Sequence, residues 1–443
     1  MKAHTQSNRS MKYHSTRNVN HVVSLKEAVL NGLAPDKGLY MPQRIPLFPS
    51  DYFHSLPEKS FTEIAFDVAS AFLGDDIPQE KLKSIVDHTI SFDAPLVEVE
   101  KNIFALELFH GPTLAFKDFG ARFMSQVLGY FAQQQKREVV ILVATSGDTG
   151  SAVANGFLGV SGTRVVVLYP AGKVSEIQEK QFTTLGNNIT ALEVEGTFDD
   201  CQRLVKQAFA DRELKTSFLL TSANSINIAR LIPQAFYYFY AWSRMKQRDD
   251  VVFSVPSGNF GNLTAGLIAK KMGLPIQHFI AATNINDVVP EYLRAGKFSP
   301  RPSFATISNA MDVGNPSNFA RMLNLFQNDH IALSKLITGY SFTDEKTKAA
   351  MKKTFRESAY MLDPHGAIGY LGLKKYQTQY PKCAGIFFET AHPAKFKEVV
   401  EQTLGQTIEI PTLLEKFLSK EKVTIKTPSD FLGFKKILAN SLS

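Results

Sequence analysis

The spacing of apolar residues changes along the chain, and the change predicts where the secondary structure changes. In the first part, apolar positions follow the spacing of one helix face: Phe61, Ile64, Ala65, Val68, Ala69 and Phe72. Prolines at positions 42, 46 and 49 predict turns before this helix. We therefore expect residues 13–93 to be mainly helical with intervening loops, after a loose start up to about residue 10.

From residue 95 onward, short apolar runs alternate with helical patterns. Buried strands are expected at residues 139–144, 165–168, 189–194, 218–220, 251–255 and 384–388. Helices are expected at residues 119–128, 150–158, 175–185 and 199–210, with one long helix between residues 220 and 251. This alternation indicates an α/β fold with mostly parallel sheets, in which ligands bind beyond the carboxyl ends of the strands.

Composition narrows the classes of protein that fit. The chain has 443 residues and a net charge of +7, and 44% of its residues are hydrophobic, which suggests two or three domains. Basic residues are scattered, without an arginine-rich arm or metal-finger spacing, so we expect no nucleic acid and no metal. An anionic small molecule fits the positive charge equally well.

The cysteines and the apolar runs bear on location. Cys201 and Cys383 lie far apart and outside any metal-binding spacing, which is typical of a reducing compartment without disulfides. No apolar run reaches the length of a membrane span, and the polar start lacks the apolar core of a signal peptide. We expect a cytoplasmic protein that does not enter a membrane.

Lys117 is the first candidate for chemistry. It lies among small and apolar residues, in the sequence HGPTLAFKDFG, at the start of a helical pattern. Burial there would lower the pKa of the amine, and a neutral amine can form a Schiff base or take a proton. A surface lysine paired with Asp118 would fit the same stretch.

Two glycine-containing turns directly follow predicted strands. They are TSGDTG at residues 145–150 and PSGNFGN at residues 256–262. Glycine lets the backbone approach a ligand, and the N–H groups of the next helix attract an anion. A plain strand-to-helix turn with a capping residue needs the same residue types.

Two further stretches carry polar groups next to predicted elements. Thr390, in ETAHPAKF, offers a hydroxyl that could hydrogen-bond an aromatic ring nitrogen, although a turn hydroxyl is the commoner case. We interpret His392 as a structural histidine before a helix-starting proline. In SANSINIAR, Arg230 and a helix start could form a second anion site, or simply a capped helix.

Taken together and in this order, the motifs HGPTLAFKDFG, TSGDTG, NSINIAR, PSGNFGN and TAHPAKF resemble those of the threonine synthase family. The stretches YHSTR at residues 13–17 and NGLAPDKGLYM at residues 31–41 resemble the start of that family's N-terminal domain. The resemblance extends from about residue 13 to residue 404. Residues after 404 carry no motif.

The resemblance implies a fold-type II enzyme that depends on pyridoxal 5'-phosphate. Its reaction would convert O-phospho-L-homoserine and water to L-threonine and phosphate by γ-elimination and β-addition of water. Lys117 would hold the cofactor as a Schiff base and act as the catalytic residue. Thr390 would face the pyridine nitrogen, and Asp148 would lie near the cofactor, where many other fold-type II enzymes carry Asn.

The resemblance also implies the remaining binding residues. The cofactor phosphate would be bound by the loop of Gly258, Asn259, Phe260, Gly261 and Asn262, the last at a position where similar enzymes often carry Asp. The substrate carboxylate would lie near Ser146, Gly147 and Thr149. The substrate phosphate would lie near Ser225, Asn227 and Arg230.

The implied architecture has two parallel-sheet α/β domains and a mainly helical N-terminal domain. We expect an N-terminal domain at 1–94, a large cofactor-binding domain at 95–130 and 247–404, a small domain at 131–246, and a C-terminal extension at 405–443. The protein would be a monomer or a homodimer. Two alternative functions fit the same fold. One is a serine or threonine dehydratase, and the other is a binding protein without catalytic activity.

Overall fold

The strands form three separate sheets in the computed structural model, which describes residues 10–135, 137–246 and 250–442. In chain order the strands are β1 Lys12–Ser15, β2 Val22–Ser24, β3 Tyr40–Pro42, β4 Leu96–Glu100, β5 Ile103–Glu107, β6 Val139–Ala144, β7 Thr163–Pro170, β8 Ile189–Val194, β9 Leu219–Ser222, β10 Val252–Pro256, β11 His278–Thr283, β12 Ile337–Ser341, β13 Gly385–Glu389 and β14 Ile425–Thr427.

Helices lie between the strands and cover the sheets. They are α1 Leu25–Asn31, α2 Ser50–Ser55, α3 Phe61–Leu73, α4 Gln79–Thr89, α5 Lys117–Ala132, α6 Asp148–Phe157, α7 Glu176–Thr183, α8 Phe198–Ala210, α9 Arg212–Ser217, α10 Ile228–Leu231, α11 Phe236–Arg244, α12 Gly261–Lys271, α13 Val288–Ala295, α14 Phe319–Leu325, α15 His330–Leu336, α16 Asp344–Ser358, α17 Pro364–Gln377, α18 Lys397–Leu404, α19 Thr412–Leu418 and α20 Phe431–Leu442. Short 3-10 helices are Leu56–Glu58, Ile232–Ala235, Asn309–Met311 and Pro393–Phe396.

The N-terminal part contains a small antiparallel sheet as well as helices. Strands β2, β1 and β3 pair in that order, so this segment is mainly helical, as expected, and carries a short sheet that was not expected. These strands are three or four residues long, which is too short to show a two-residue alternation. They are stabilised by pairing between distant parts of the chain, as in Tyr13 opposite Pro42.

The larger parallel sheet has the order β12-β11-β10-β13-β5-β4. All its pairs are parallel except β4 with β5. The expected strands at 251–255 and 384–388 are β10 and β13, and they lie side by side at the centre of the sheet. Their carboxyl ends therefore lead into the turns at 256–262 and 389–396 on the same edge.

The second parallel sheet has the order β14-β8-β7-β6-β9. Four of its strands were expected from the sequence, and β6 is buried along its whole length. The fifth strand, β14, comes from the region after residue 404 and pairs with β8. The extension is thus packed onto the smaller sheet, with Phe434, Leu438 and Leu442 of α20 in its core.

The single long helix expected between residues 220 and 251 is wrong. The chain forms α10, then the 3-10 helix Ile232–Ala235, and then α11. Pro233 explains the break, because proline has no backbone N–H to donate within a helix and its ring clashes with the preceding turn.

The α/β fold class with parallel sheets is confirmed. Within the described residues, no helix is long and apolar enough to cross a membrane. The structure does not test the expected domain boundaries, which stay a prediction.

Candidate active site

A cavity of about 430 Å³ lies at the carboxyl ends of the strands in the two parallel sheets. Most residues singled out from the sequence line it. Those at its wall are Lys117, Ser146, Asp148, Thr149, Ser225, Arg230, Gly258, Asn259, Phe260, Gly261, Asn262 and Thr390. Residues from five distant parts of the chain therefore meet at one site.

Lys117 is the first residue of α5, and its side chain is only 16% exposed. Backbone pairing fixes its position: Phe116 donates its N–H to the carbonyl of Thr390 at 2.8 Å, and Ala115 forms a bridge with Ala391. Burial lowers the pKa of the Lys117 amine, against the attraction of Asp148. This burial excludes the alternative interpretation, in which Lys117 is an exposed lysine paired with Asp118 at the protein surface.

Asp148, the first residue of α6, is held by three side chains. Its Oδ1 accepts hydrogen bonds from Gln178 Nε2 at 2.8 Å and lies 2.8 Å from Lys395 Nζ, while its Oδ2 lies 3.4 Å from Lys117 Nζ. Burial opposes ionisation, but Lys395 and Lys117 together hold the pKa of Asp148 well below its usual range. The carboxylate is therefore ionised inside the cavity wall.

The loop after β10 adopts the shape that its sequence suggested. Phe260 has a left-handed backbone, with φ of +60°, and turns the chain into α12. A side chain at Gly258 would meet the backbone of Ala310 and Met311 at 2.8 Å, so only glycine fits. Asn262 holds the turn together by donating to the carbonyl of Pro256 at 2.8 Å and accepting from Ser257 Oγ at 2.9 Å.

Gly261 is bordered by side-chain nitrogen donors. A Cβ placed there would lie 3.4 Å from Asn318 Nδ2 and 3.7 Å from Gln234 Nε2. The first N–H groups of α12 have no partner within the helix. Amide donors and a helix N-terminus together fit an anionic group such as a phosphate.

Thr390 and His392 follow β13 but differ in position. Thr390 is at the cavity wall. His392 caps the 3-10 helix Pro393–Phe396, accepting the N–H of Ala394 at its Nδ1 at 3.1 Å. Burial, helped by His110, lowers the pKa of His392 to about 4. The structural interpretation of His392 fits this geometry.

Arg230 places a buried positive charge at the wall. Its Nη1 donates to the carbonyl of Ala223 at 2.6 Å, and its Nε has no hydrogen-bond partner in the part of the chain that the structure describes. Burial lowers the pKa of Arg230 to about 10, although Asp118 opposes this. Such a guanidinium suits an oxygen-rich anion entering the cavity.

Gly147 and Asn227 are not among the residues at the wall. Gly147 has a φ of +138° and packs against Gln178, so it shapes the turn instead. The side chain of Asn227 is fully occupied: its Nδ2 donates to the carbonyl of Val29 at 2.9 Å, and its Oδ1 caps α10 through the N–H of Ala229. Asn227 therefore caps the short helix that carries Arg230.

Sequence reasoning assigned no role to several residues that organise the site. Lys395 and Gln178 bind Asp148. Arg321 is fully buried and donates to the carbonyls of Tyr40, Ser225 and Ile226 and to Asn318 Oδ1. Lys395 stood within a motif already noted, whereas Gln178 and Arg321 lie in stretches without a sequence signal.

Across the described ranges, no group of three or more His, Cys, Asp and Glu side chains is placed to hold a metal ion.

Three family models match the chain. "Threonine synthase N terminus" matches residues 12–90, "Pyridoxal-phosphate dependent enzyme" matches residues 91–386, and "Threonine synthase, C-terminal" matches residues 366–437. The last match extends well past residue 404, where no motif was visible.

Individual proteins agree with the family models. The chain is 46% identical to threonine synthase of Escherichia coli over 432 residues, covering 97% of this chain and 100% of that one. The crystal structure of that enzyme superposes with a TM-score of 0.91. A threonine synthase from Brucella melitensis, solved with bound pyridoxal phosphate, is 35% identical, covers 97% of this chain and 99% of its own, and gives a TM-score of 0.90.

The chemical groups at the cavity wall also fit pyridoxal phosphate, independently of these similarities. A desolvated lysine amine, a hydroxyl at Thr390 and a helix N-terminus beside Gly261 are the groups that an aldehyde, a ring nitrogen and a phosphate need. With matching models along nearly its whole length and an identity of 46% to a curated member, this chain belongs to the threonine synthase family of pyridoxal-phosphate-dependent lyases.

Proposed function

We propose that the residues of this cavity carry out the threonine synthase reaction, with Lys117 as the catalytic residue. The reaction converts O-phospho-L-homoserine and water to L-threonine and phosphate. The observation that supports the assignment most is a desolvated amine at Lys117. It lies at the wall of the cavity that also contains Arg230 and the loop from Gly258 to Asn262, called here the phosphate-type loop. The cavity wall therefore offers one lysine for covalent attachment of the cofactor and two sites that can bind an anion.

The cofactor would be held at three points. Lys117 would bind it as a Schiff base, Thr390 would face its pyridine nitrogen, and the loop from Gly258 to Asn262 would bind its phosphate through the start of α12. When bound, pyridoxal phosphate supplies an electron sink for the substrate carbons. Asp148 is close enough to Lys117 to orient the attachment point, at 3.4 Å.

The substrate would be held by the two turns opposite this loop. Ser146 and Thr149, in a turn shaped by Gly147, would bind its carboxylate at the start of α6. Ser225 and Arg230 would bind its phosphate. Asn227 would contribute by capping α10 and so holding both of these residues in place.

Lys117 would move the protons. Its nitrogen would take the α-proton of the substrate and then help to transfer the β-proton. These transfers would accompany the loss of phosphate from the γ-carbon and the addition of water at the β-carbon. A lysine amine works as a base near neutral pH only if burial lowers its pKa, and burial does so here.

The test is release of phosphate from O-phospho-L-homoserine by the purified protein, with threonine identified as the product. Lys117→Ala should abolish turnover, whereas Lys270→Ala, at a half-buried lysine that is not part of the cavity wall, should retain it. Near-normal activity of Lys117→Ala would overturn the assignment.

Arg230→Ala separates substrate binding from cofactor binding. Loss of a charge-assisted contact to phosphate should reduce kcat/KM for O-phospho-L-homoserine by about 100-fold, with cofactor affinity unchanged. Arg356→Ala, at an exposed position, is the control. An equal loss of cofactor affinity in Arg230→Ala would contradict its assignment to the substrate phosphate.

We also propose that the protein acts in the cytoplasm as a monomer or homodimer, without nucleic acid. Cys201 and Cys383 are both buried free thiols, which fits a reducing compartment. Light scattering of the purified protein would measure the oligomeric state, and a larger assembly would contradict the proposal.

A further inference from the structure

Lys395 is a buried charge that the proposed reaction leaves unused. Its side chain has no exposed surface. Its Nζ lies 2.8 Å from Asp148 Oδ1 and donates to the carbonyl of Thr113 at 2.8 Å. Gln181 Nε2 donates to the same carbonyl at 3.1 Å. Lys395 is thus fixed from two sides beneath the cavity wall.

The two lysines compete for one carboxylate. Lys395 makes the shorter contact with Asp148, at 2.8 Å, and Lys117 the longer one, at 3.4 Å. Gln178 takes a further position on the same oxygen as Lys395. A buried carboxylate requires a cationic partner, and Lys395 satisfies that requirement from the side away from the cavity.

We propose that Lys395 is a positioning residue for the reaction: it holds the Asp148 carboxylate in place and balances its charge, so that Lys117 is not retained as that carboxylate's only cationic partner. Lys117 is then free to lose its proton, attach the cofactor and later act as a base. This inference rests on the proposed role of Lys117.

The other charged groups around the pair fit this arrangement. Lys117 faces Asp148, Lys395 and Arg230. Lys395 also faces Asp118, whose pKa is raised by burial, and His392, whose pKa is lowered by burial to about 4. Without Lys395, the Asp148–Lys117 pair would lose a nearby positive charge and would keep its shared proton to a higher pH.

The experiment follows cofactor attachment rather than turnover. Full-length protein freed of cofactor is mixed with pyridoxal phosphate at a series of pH values, and attachment is followed by visible absorbance. Only a neutral amine attacks the aldehyde, so the rate rises with pH around a midpoint. Lys395→Met and Lys395→Gln should each raise this midpoint by about one pH unit or more.

Three further variants test the direction of the shift in the midpoint and its electrostatic cause. Lys395→Arg keeps the charge and should keep the midpoint near that of the wild type. Asp148→Asn removes the attraction on the Lys117 proton and should lower the midpoint. Lys270→Met, a lysine outside the cavity wall whose Nζ donates to the carbonyl of Ile276, should leave it unchanged.

The proposal is overturned if both Lys395→Met and Lys395→Gln keep the wild-type midpoint. This holds even if the two variants attach less cofactor or melt at a lower temperature, because a purely structural role of Lys395 predicts a loss of stability without a shift of the midpoint. Failure of the proposed function looks different. In that case the wild-type protein would attach no cofactor at any pH, or Lys117→Ala would attach it equally well.

Discussion

Asn262 shows how a single amide shapes the phosphate-type loop. It uses both ends of the side chain: the amide nitrogen donates to the carbonyl of Pro256, and the oxygen accepts from Ser257 Oγ and from the N–H of Leu263. A carboxylate could accept the last two hydrogen bonds but could not donate to Pro256. Asn at this position therefore suits the loop of this chain.

We expect Asn262→Asp to weaken binding of pyridoxal phosphate by about tenfold. The change removes one buried donor and adds a negative charge beside a phosphate at the start of α12. Titration of the cofactor-free protein measures the affinity. Asn20→Asp, on the exposed turn after β1, should bind as the wild type does, and unaltered affinity in Asn262→Asp would contradict the role of the loop.

Residues with a local sequence signal were found, and residues defined by distant contacts were not. Lys117 and the 256–262 turn were visible because apolar strands and glycines stand next to them in the chain. Gln178 meets Asp148 from a neighbouring helix, and Lys395 reaches it from the far end of the chain. Nothing in the local pattern distinguishes such residues from ordinary polar positions.

Among the elements, Arg321 on α14 joins three segments that belong to different parts of the fold. Its guanidinium donates to the carbonyl of Tyr40 on β3 and to the carbonyls of Ser225 and Ile226 before α10. It also holds Asn318, whose N–H donates to the carbonyl of Asn259 in the phosphate-type loop. One side chain thus couples the N-terminal sheet to both anion sites.

Arg321→Lys should lower the free energy of unfolding by about 2–4 kcal/mol, because an ammonium has fewer donors than a guanidinium and leaves buried carbonyls unpaired. Urea denaturation measures the loss. Arg356→Lys, at a side chain that is 76% exposed, should change the free energy by less than about 0.5 kcal/mol. Equal stability of the two variants would exclude a joining role for Arg321.

The stability of the protein should depend on pH through His392, which caps the 3-10 helix that carries Lys395. His392 has an ordinary pKa of 6.5 when unfolded and a pKa of about 4 when folded, because burial disfavours its charged form. Below pH 6.5 the unfolded chain binds a proton that the folded chain does not. The free energy of unfolding should therefore fall, by about 2–3 kcal/mol, as the pH falls from 6.5 to 4.

His392→Asn keeps a capping oxygen but no titrating ring, so this part of the pH dependence should disappear. Denaturation midpoints across the pH range measure it, and His54→Asn, at an exposed position of α2, should keep the wild-type dependence. The idea fails if His392→Asn and the wild type lose stability in parallel.

Elements were predicted well where their pattern is strong within a short window. Strand β6 was located correctly because it is a short apolar run bounded by polar residues, and β8 because most of its residues are apolar and buried. Eight strands were not predicted: β1, β2, β3 and β14, of three or four residues each, and β4, β5, β11 and β12, of five or six residues each. The conformation of the shortest of them depends on pairing with other strands rather than on their own sequence.

At the scale of the whole molecule, the C-terminal segment is part of the smaller sheet's core. Strand β14 pairs with β8, and α20 buries Leu438 completely. Lys435, on the same helix, reaches back to Asp211 and Glu213. This segment should therefore unfold together with the smaller sheet.

Leu438→Ala should lower the free energy of unfolding by about 2–4 kcal/mol through the cavity that it leaves. Leu432→Ala, six residues earlier on the same helix and 79% exposed, should change it by less than about 0.5 kcal/mol. Thermal denaturation followed by circular dichroism measures both. Matching stabilities would mean that α20 does not contribute to the core.

The composition and the strand-helix alternation were enough to predict the fold class, and the motifs were enough to predict the family. The packing of the C-terminal segment was not predictable in this way, since α20 and β14 are recognised only by the partners they contact. The same holds for the order of strands in each sheet, which periodicity within one strand does not encode.

The pairing of β5 with β13 has a consequence for synthesis on the ribosome. Glu107 lies opposite Glu389 in that pair, so the edge on which Lys117 and Thr390 meet is completed only after most of the chain has been translated. Until then β5 pairs with β4 on one side only, and its other edge lacks β13. An unpaired strand edge favours association with other chains. The emerging polypeptide therefore has a long interval in which a chaperone that shields strand edges would raise the yield of correctly folded protein.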